Sequence, residues 1–196
     1  MHKLEIKIDW AAFVAGDEGI FERVYESFFD SLYNYGRKYT DDEELIEDAI
    51  QDLFVRFWKN RANLTEPLSL RNYLFKAFRN HLTDRLRVSG KYVSEDGIER
   101  FHMEVEMSIE HKKIHAEGEA IRNRKLQQAM ELLTARQREA IFLRFYEGLS
   151  YEEIAEALEI NIKGTYKLMA RSIDAMRAAL GGKADIFFIL FQRMER

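Results

Sequence analysis

The stretch "IEDAIQDLFVRFW", residues 46–58, places Glu47, Asp48, Gln51 and Asp52 on one polar flank beside a strongly apolar stripe. Carboxylates grouped in this way can exchange protons or hold a metal ion. Acid–base catalysis also needs a pocket and a positioned partner, and the sequence supplies neither nearby. The flank is therefore expected to be solvated or to bind a partner. His111 and His115 stand four residues apart, with Glu119 at the same step, which is how two ligands share a helix face. A zinc site needs three or four ligands. No third histidine is close and no glutamate follows His111 directly, so a solvated helix is expected there, with no metal, no cofactor and no catalytic residue.

A different chemistry is written in "LRNYLFKAFRNHLTDRLR", residues 70–87. Arg71, Lys76, Arg79, Arg85 and Arg87 are interleaved with Asn72, Tyr73, Asn80 and His81. Bases along a helix can follow a phosphate backbone, and the amides and ring between them can hydrogen-bond or stack on an unpaired base. The plainer alternative is a charged surface helix. In "LSYEEIAEALEINIKGTYKL", residues 149–168, Ser150 and Glu153 form a capping box that starts a helix at Tyr151. Glu159, Ile160 and Asn161 read as a tight turn, and Asn161 caps a second helix. The apolar residues Tyr166, Met169, Ile173, Met176 and Leu180 fall on one face of that second helix, with Lys163, Lys167 and Arg171 roughly opposite. Two helices joined this tightly, the second basic on its free side, suit a helix-turn-helix that lays one helix in the major groove.

The elements that carry these residues are helical. At 196 residues with 46% hydrophobic content, one proline (Pro67) and 3.6-residue periodicity through most of its length, the chain is expected to be all-α with real cores. Two long amphipathic helices span Ile20 to Gly36 and the run after Asp42, and a third runs from Leu70 to near Arg87. Phe54, Phe57, Trp58 and Phe78 should supply much of a compact core. Leu4, Ile6 and Ile8 suggest an extended arm. Periodicity fades from residue 88 to about 108 and resumes through Leu126, Ala129, Met130 and Leu133. A capping box at Thr134 and Gln137 then opens a helix closed by Gly148. The absence of cysteine excludes disulfides and fits a reducing compartment. The longest purely apolar run, Ile186 to Phe191, is too short to cross a bilayer, so a soluble, cytoplasmic protein without membrane insertion is expected. The net charge of −4 argues against a non-specific nucleic-acid coat. Residues 122–183 are nevertheless basic, with 11 bases against 8 acids, while residues 91–121 hold 4 bases and 8 acids.

The ordered segments "GDEGIFERVYESFF", "EDAIQDLFVRFW", "LRNYLFKAFRNHLTDRLR", a variable linker, "LTARQREAIFLRFYEGLSYEEIAEAL" and "GTYKLMARSIDAMR" cover about 150 residues. In that order they resemble the bacterial RNA polymerase sigma factors of the extracytoplasmic-function (ECF) group. The resemblance implies a region 2 bundle at 1–88, an acidic linker at 89–121, a region 4 helix-turn-helix domain at 122–183 and an apolar extension at 184–196. It also implies core RNA polymerase, promoter DNA and an anti-sigma factor as partners. Asp48, Gln51, Asp52 and Phe54 match the family's polymerase-binding helix. The segment from Asn63 to Ser69, with Asn72, Tyr73, Lys76, Arg79, Asn80 and Asp84, matches the face that melts the minus-ten element and holds its flipped base. Lys163, Gly164, Thr165, Lys167 and Arg171 match the helix that reads the minus-thirty-five element.

Three departures accompany the resemblance. Glu159 stands where many relatives have glycine, Met169 and Ala175 stand where some carry bases, and the chain after Leu180 exceeds the usual ending. The resemblance implies that the linker carrying Glu95, Asp96, Glu99, Glu104, Glu106 and Glu110 threads into polymerase, and charge alone offers the alternative that these acids mask the basic carboxy-terminal face in the free protein. Two other functions fit parts of the pattern. One is a dimeric helix-turn-helix regulator that acts without polymerase, and the other is a helical metalloenzyme using His111 and His115.

Overall fold

The structure is a computed structural model that describes residues 7–90, 101–103 and 116–180, with 116–123 as backbone only. Among the described residues there are eight α-helices, one 3-10 turn and no strand. The amino-terminal half comprises α1 (Trp10–Ala15), α2 (Glu18–Gly36), α3 (Glu43–Lys59), the 3-10 turn Arg61–Asn63 and α4 (Leu70–Val88). The carboxy-terminal half comprises α5 (Ala116–Glu131), α6 (Ala135–Phe145), α7 (Tyr151–Ala157) and α8 (Ile162–Leu180).

Helix starts follow local chemistry closely. Asp17, Asp42 and Ser69 each accept a backbone N–H three residues on, opening α2, α3 and α4. Both expected capping boxes are complete: Thr134 with Gln137 opens α6, and Ser150 with Glu153 opens α7. α1 was not anticipated. Six residues are too few to show periodicity, and its signals were only the cap Asp9 and the left-handed Gly16 that closes it. The backbone is irregular at Ile8, and Leu4 and Ile6 lie outside the described residues.

Phe54, Phe57 and Phe78 are buried as anticipated, while Trp58 is half-buried against them. Phe13 stacks on Phe57 with ring centroids 4.6 Å apart, and Tyr25 meets Phe54 edge-on at 4.9 Å. Offset and edge contacts of this kind add to the burial itself. Gly36 ends α2 where α3 and α4 pass close. A Cβ there would sit 2.7 Å from Ile46 Cγ2 and 3.2 Å from the Phe78 ring. Gly36→Ala is therefore expected to destabilise the bundle by about 1–3 kcal/mol through overpacking, despite alanine's better helix propensity. A lowered urea midpoint with an unchanged slope would show it.

The two halves pack as one body. α4 lies against α7, and the core is continuous across them. Part of the stretch expected to be a polar linker belongs to that core. Phe101 is fully buried between Tyr39 and Phe142, at 5.3 and 5.8 Å between centroids. Its carbonyl accepts from Arg138 Nε at 2.7 Å, and the next N–H, of His102, donates to the Lys38 carbonyl at 2.7 Å. The acidic residues 95 to 110 named above, the pair His111 and His115, and the apolar run 186–191 lie outside the described residues. Glu119 falls where only backbone is described.

Candidate protein and nucleic-acid interfaces

The polar flank of α3 forms as the sequence predicts, and it is braced from behind by α4. Asp48 and Gln51 are exposed and Asp52 is half-buried. Arg85 on α4 bonds Asp52 through Nη2 and reaches Asp48 Oδ2 at 3.5 Å through Nη1. Phe54, which the resemblance assigns to the same helix, lies on its core side as anticipated, buried against Phe21, Tyr25 and Phe57. Its part in this face is to fix α3 from below.

His81 completes the brace. Its Nε2 accepts from Arg85 Nε at 3.2 Å and lies 3.4 Å from Asp52 Oδ2. Burial, reinforced by the positive charges of Arg56 and Arg85, lowers the imidazole pKa despite Asp52. Neutral His81 with Nε2 as acceptor is thus the form the fold prefers. The hydrogen bond from Arg85 holds the Asp52 carboxyl below its ordinary value. The two effects act in separate pH windows. A His pKa lowered in the fold contributes stability above about 6.5 that is lost as pH falls toward the folded value. A carboxyl pKa lowered in the fold contributes stability lost only below about 4. Acidification from pH 7 to 5 is therefore expected to lower the melting temperature, and His81→Gln should flatten that dependence. If the slope persists unchanged in the variant, His81 is not its source.

The face proposed from sequence for single-stranded DNA is only partly open. Asn63 is exposed at the 3-10 turn, Ser69 caps α4, Tyr73 packs on the Phe57 ring at 5.8 Å, and Lys76 is half-buried. Asp84 pairs with Arg87 at 3.0 Å. Beside this loop a groove of about 350 Å³ opens between Trp10, Phe28, Pro67 and Arg71, with Leu68 fully exposed at its rim. Asn72 and Arg79, by contrast, are each only 7% exposed. Asn72 Nδ2 donates to Glu156 at 2.7 Å, Asn80 Nδ2 to Glu159 at 2.9 Å, and Arg79 Nε to Glu139 at 2.8 Å. Arg71 donates to both the carboxylate and the carbonyl of Glu147 at 3.2 Å.

Glu139 has no exposed surface, and it also accepts from the hydroxyls of Tyr35, at 2.6 Å, and Tyr39. Burial, with the carboxylate charge beside them, pushes both phenols well above their ordinary pKa. Burial alone would lower the Arg79 guanidinium, but Glu139 outweighs it and the net shift is upward. Sequence reasoning missed this cluster. The available signal was Tyr35 and Tyr39 four residues apart and one carboxylate directly before the apolar run Ala140, Ile141 and Phe142.

On α8 the basic face is free. Lys163, Lys167 and Arg171 are exposed, and Asn161 Oδ1 accepts the Gly164 N–H at 2.7 Å to start the helix. Thr165 is fully buried, so among the anticipated reading residues it holds the helix to its neighbours instead of facing outward. Tyr166 differs the other way. Expected in the apolar stripe, it is 52% exposed and meets Tyr151 edge-on at 4.7 Å. Glu159 adopts φ +54° in the turn, a left-handed conformation that costs a side-chain-bearing residue roughly 1–2 kcal/mol. No helix among the described residues is long and apolar enough to cross a membrane. Among the same residues, no group of three or more His, Asp or Glu side chains could hold a metal ion.

Sequence models of two family regions match the chain: "Sigma-70 region 2" at residues 24–92 and "Sigma-70, region 4" at residues 123–176. An ECF RNA polymerase sigma factor of Bacillus subtilis, SigX, is 24% identical over 170 residues, covering 82% of this chain and 83% of its own length. The sigma factor SigK of Mycolicibacterium vanbaalenii is 24% identical over 169 residues, covering 84% of each. Two solved structures share the fold. CnrH in complex with the cytosolic domain of CnrY has a TM-score of 0.57 at 21% identity, over 88% of this chain and 94% of that one. The sigma factor RpoE of Bartonella quintana in complex with the anti-sigma factor NepR has a TM-score of 0.56 at 22% identity, over 82% and 96%. The chain belongs to the sigma-70 family, as an RNA polymerase sigma factor of the ECF type. It directs transcription initiation, and sigma factors are in general regulators rather than enzymes.

Proposed function

We propose that the work of initiation is divided along the chain, with α3 gripping core polymerase, α4 and the loop before it holding the melted minus-ten strand, and α8 reading the minus-thirty-five duplex. The observation that carries this reading is the segregation of α8. Thr165, Met169, Ser172 and Met176 are buried on one side while Lys163, Lys167 and Arg171 stand free on the other, as a helix docked in the major groove requires. The groove beside Leu68 is of a size to receive a base turned out of the stack, with apolar Trp10 and Phe28 in its lining. By this division residues 1–88 and 122–183 are the two working domains and the chain between them is a linker.

The protein has no catalytic activity of its own in this scheme and acts in the cytoplasm, where the polymerase is. An anti-sigma factor is its expected antagonist, since the related sigma factor RpoE is found in complex with the anti-sigma factor NepR. Run-off transcription with core polymerase on the organism's own promoter fragments tests the scheme. Transcripts that depend on both the chain and core are expected. A footprint on duplex DNA without polymerase, and no transcript with it, would favour a free-standing dimeric regulator.

A further inference from the structure

The exposed face of α8 carries a second row beside its basic one. Lys163, Lys167 and Arg171 recur at four-residue steps, and so do Ile162, Tyr166 and Ala170, each one position earlier on the same open face. Ile162 is 39% exposed and Tyr166 52%. Single exposed apolar residues are ordinary on a protein surface. These two stand about one turn apart, next to the bases of the helix assigned above to duplex DNA. The next position in the row is Asp174, which pairs with Arg177 at 2.8 Å. The apolar row is thus confined to the amino-terminal half of α8, the part of a recognition helix that meets base edges.

The Tyr166 ring is held in place by two neighbouring helices. Tyr151 of α7 meets it edge-on at 4.7 Å. The Arg144 guanidinium of α6 lies over the Tyr151 ring at 5.2 Å, while its Nη1 donates to the Leu149 carbonyl at 2.8 Å. The column of Arg144, Tyr151 and Tyr166 therefore fixes one exposed ring beside Lys167, and a ring already fixed loses less freedom on binding. Spacing matches the duplex as well. A four-residue step rises about 6 Å along a helix, close to two base pairs of B-form DNA at about 3.4 Å each. In the major groove the group that suits an apolar side chain is the C5 methyl of thymine, since the other three bases offer hydrogen-bonding groups and no methyl.

We propose that Ile162, Tyr166 and Ala170 form an apolar reading row that selects thymine in the minus-thirty-five duplex by packing against its C5 methyl groups, with Tyr151 and Arg144 positioning the Tyr166 ring. The proposal rests on the assignment of α8 as the reading helix. It divides the open face by chemistry: the basic row supplies charge and hydrogen bonds to phosphates and base edges, and the apolar row distinguishes thymine from cytosine, which has the same shape at that edge without the methyl. Tyr166 carries most of the discrimination, because its ring is the largest group in the row and the one held from behind. Ile162 opens the helix and Ala170 closes the row with a methyl group alone.

Deoxyuridine tests the row from the DNA side, since it removes the methyl of thymine and keeps every hydrogen-bonding group. Holoenzyme is assayed on duplex promoter fragments in which each thymine of the minus-thirty-five element, on either strand, is replaced singly by deoxyuridine. At one or two positions the parent is expected to lose affinity about threefold to tenfold, the scale of one buried methyl. Ile162→Ala with Tyr166→Ala should bind the thymine and deoxyuridine fragments alike at those positions. Tyr151→Leu should shrink the thymine-to-deoxyuridine ratio, and Tyr151→Phe, which keeps the edge contact, should retain it. A parent indifferent to every replacement, a double variant that keeps the full ratio, or an element made of G·C pairs alone would overturn the proposal. An unchanged ratio in Tyr151→Leu would overturn the positioning of Tyr166. The same fragments with Lys163, Lys167 and Arg171 replaced by alanine separate the two levels. If that variant loses promoter binding while the parent ignores the methyls, α8 still reads the duplex and only the apolar row falls. If it binds as the parent does, the assignment of α8 falls and takes the row with it.

Discussion

Reversing Asp48 and Asp52 to lysine is expected to weaken binding to core polymerase by ~100-fold or more while leaving the helical content intact. A charged pair desolvated in an interface typically costs 2–5 kcal/mol when one partner is lost, and reversal adds repulsion to that loss. Each 1.4 kcal/mol is a factor of about ten. The complication is Arg85, which already engages both carboxylates. Two lysines facing it would also loosen α3 from α4, so lost affinity alone would not separate a polymerase contact from local damage.

Charge exchange separates them. Asp52→Arg with Arg85→Asp restores an intramolecular pair but presents the opposite charge outward. If α3 is the grip, the exchanged protein melts like the parent and still fails to bind core. If it binds core normally, the flank serves only to join α3 to α4 and the polymerase contact lies elsewhere. Because the pair is more than a third exposed on the Asp side, its own effect on stability should be small. The melting curve therefore has little to hide, and the affinity measurement carries the decision.

How far the sequence reveals such arrangements depends on whether the signal is local. The capping boxes at Thr134 and Ser150, the left-handed Gly148 and the apolar stripe through Met169 and Met176 lie within one or two turns of the structure they specify. They were readable for that reason. Periodicity could also place Lys163, Lys167 and Arg171 outward, because an exposed face is what remains once the apolar positions are assigned. It could not say that Tyr166 would rest on Tyr151, which belongs to another helix. Nor could it find the Glu139 cluster, whose members are separated by 60 and 104 residues in the chain.

The same limit explains Arg79 and Asn72. Their types and spacing describe a face suited to nucleic acid, and the fold turns that face toward another part of the chain. Phe101 illustrates it most plainly. Set among acidic and polar neighbours it reads as linker, and only the ring pair formed by Tyr35 and Tyr39, with Phe142 opposite, gives it a place in the core.

Replacing Lys163, Lys167 and Arg171 together by alanine should abolish promoter use without unfolding α8, because all three are exposed and the buried side of the helix is untouched. The size of the effect divides by contact type. A base-reading contact is worth roughly 1–3 kcal/mol at its own base pair, whereas a phosphate contact weakens every sequence alike and lowers the salt slope by about one. Single alanine variants, assayed as holoenzyme on duplex promoter fragments across a range of salt, therefore sort the three. A residue that reads a base should change sequence preference at nearly constant slope. A residue that holds a phosphate should reduce the slope and spare preference. Gly164 helps in the discrimination, since it sits between Lys163 and the buried Thr165 at the start of the helix, where an added Cβ would come within 3.3 Å of Asn161 Oδ1. Close approach of the backbone to DNA would make Gly164→Ala lose affinity for all sequences beyond what this mild internal crowding implies. If the triple variant initiates as well as the parent, α8 is not the reading helix, and its basic face serves solubility alone.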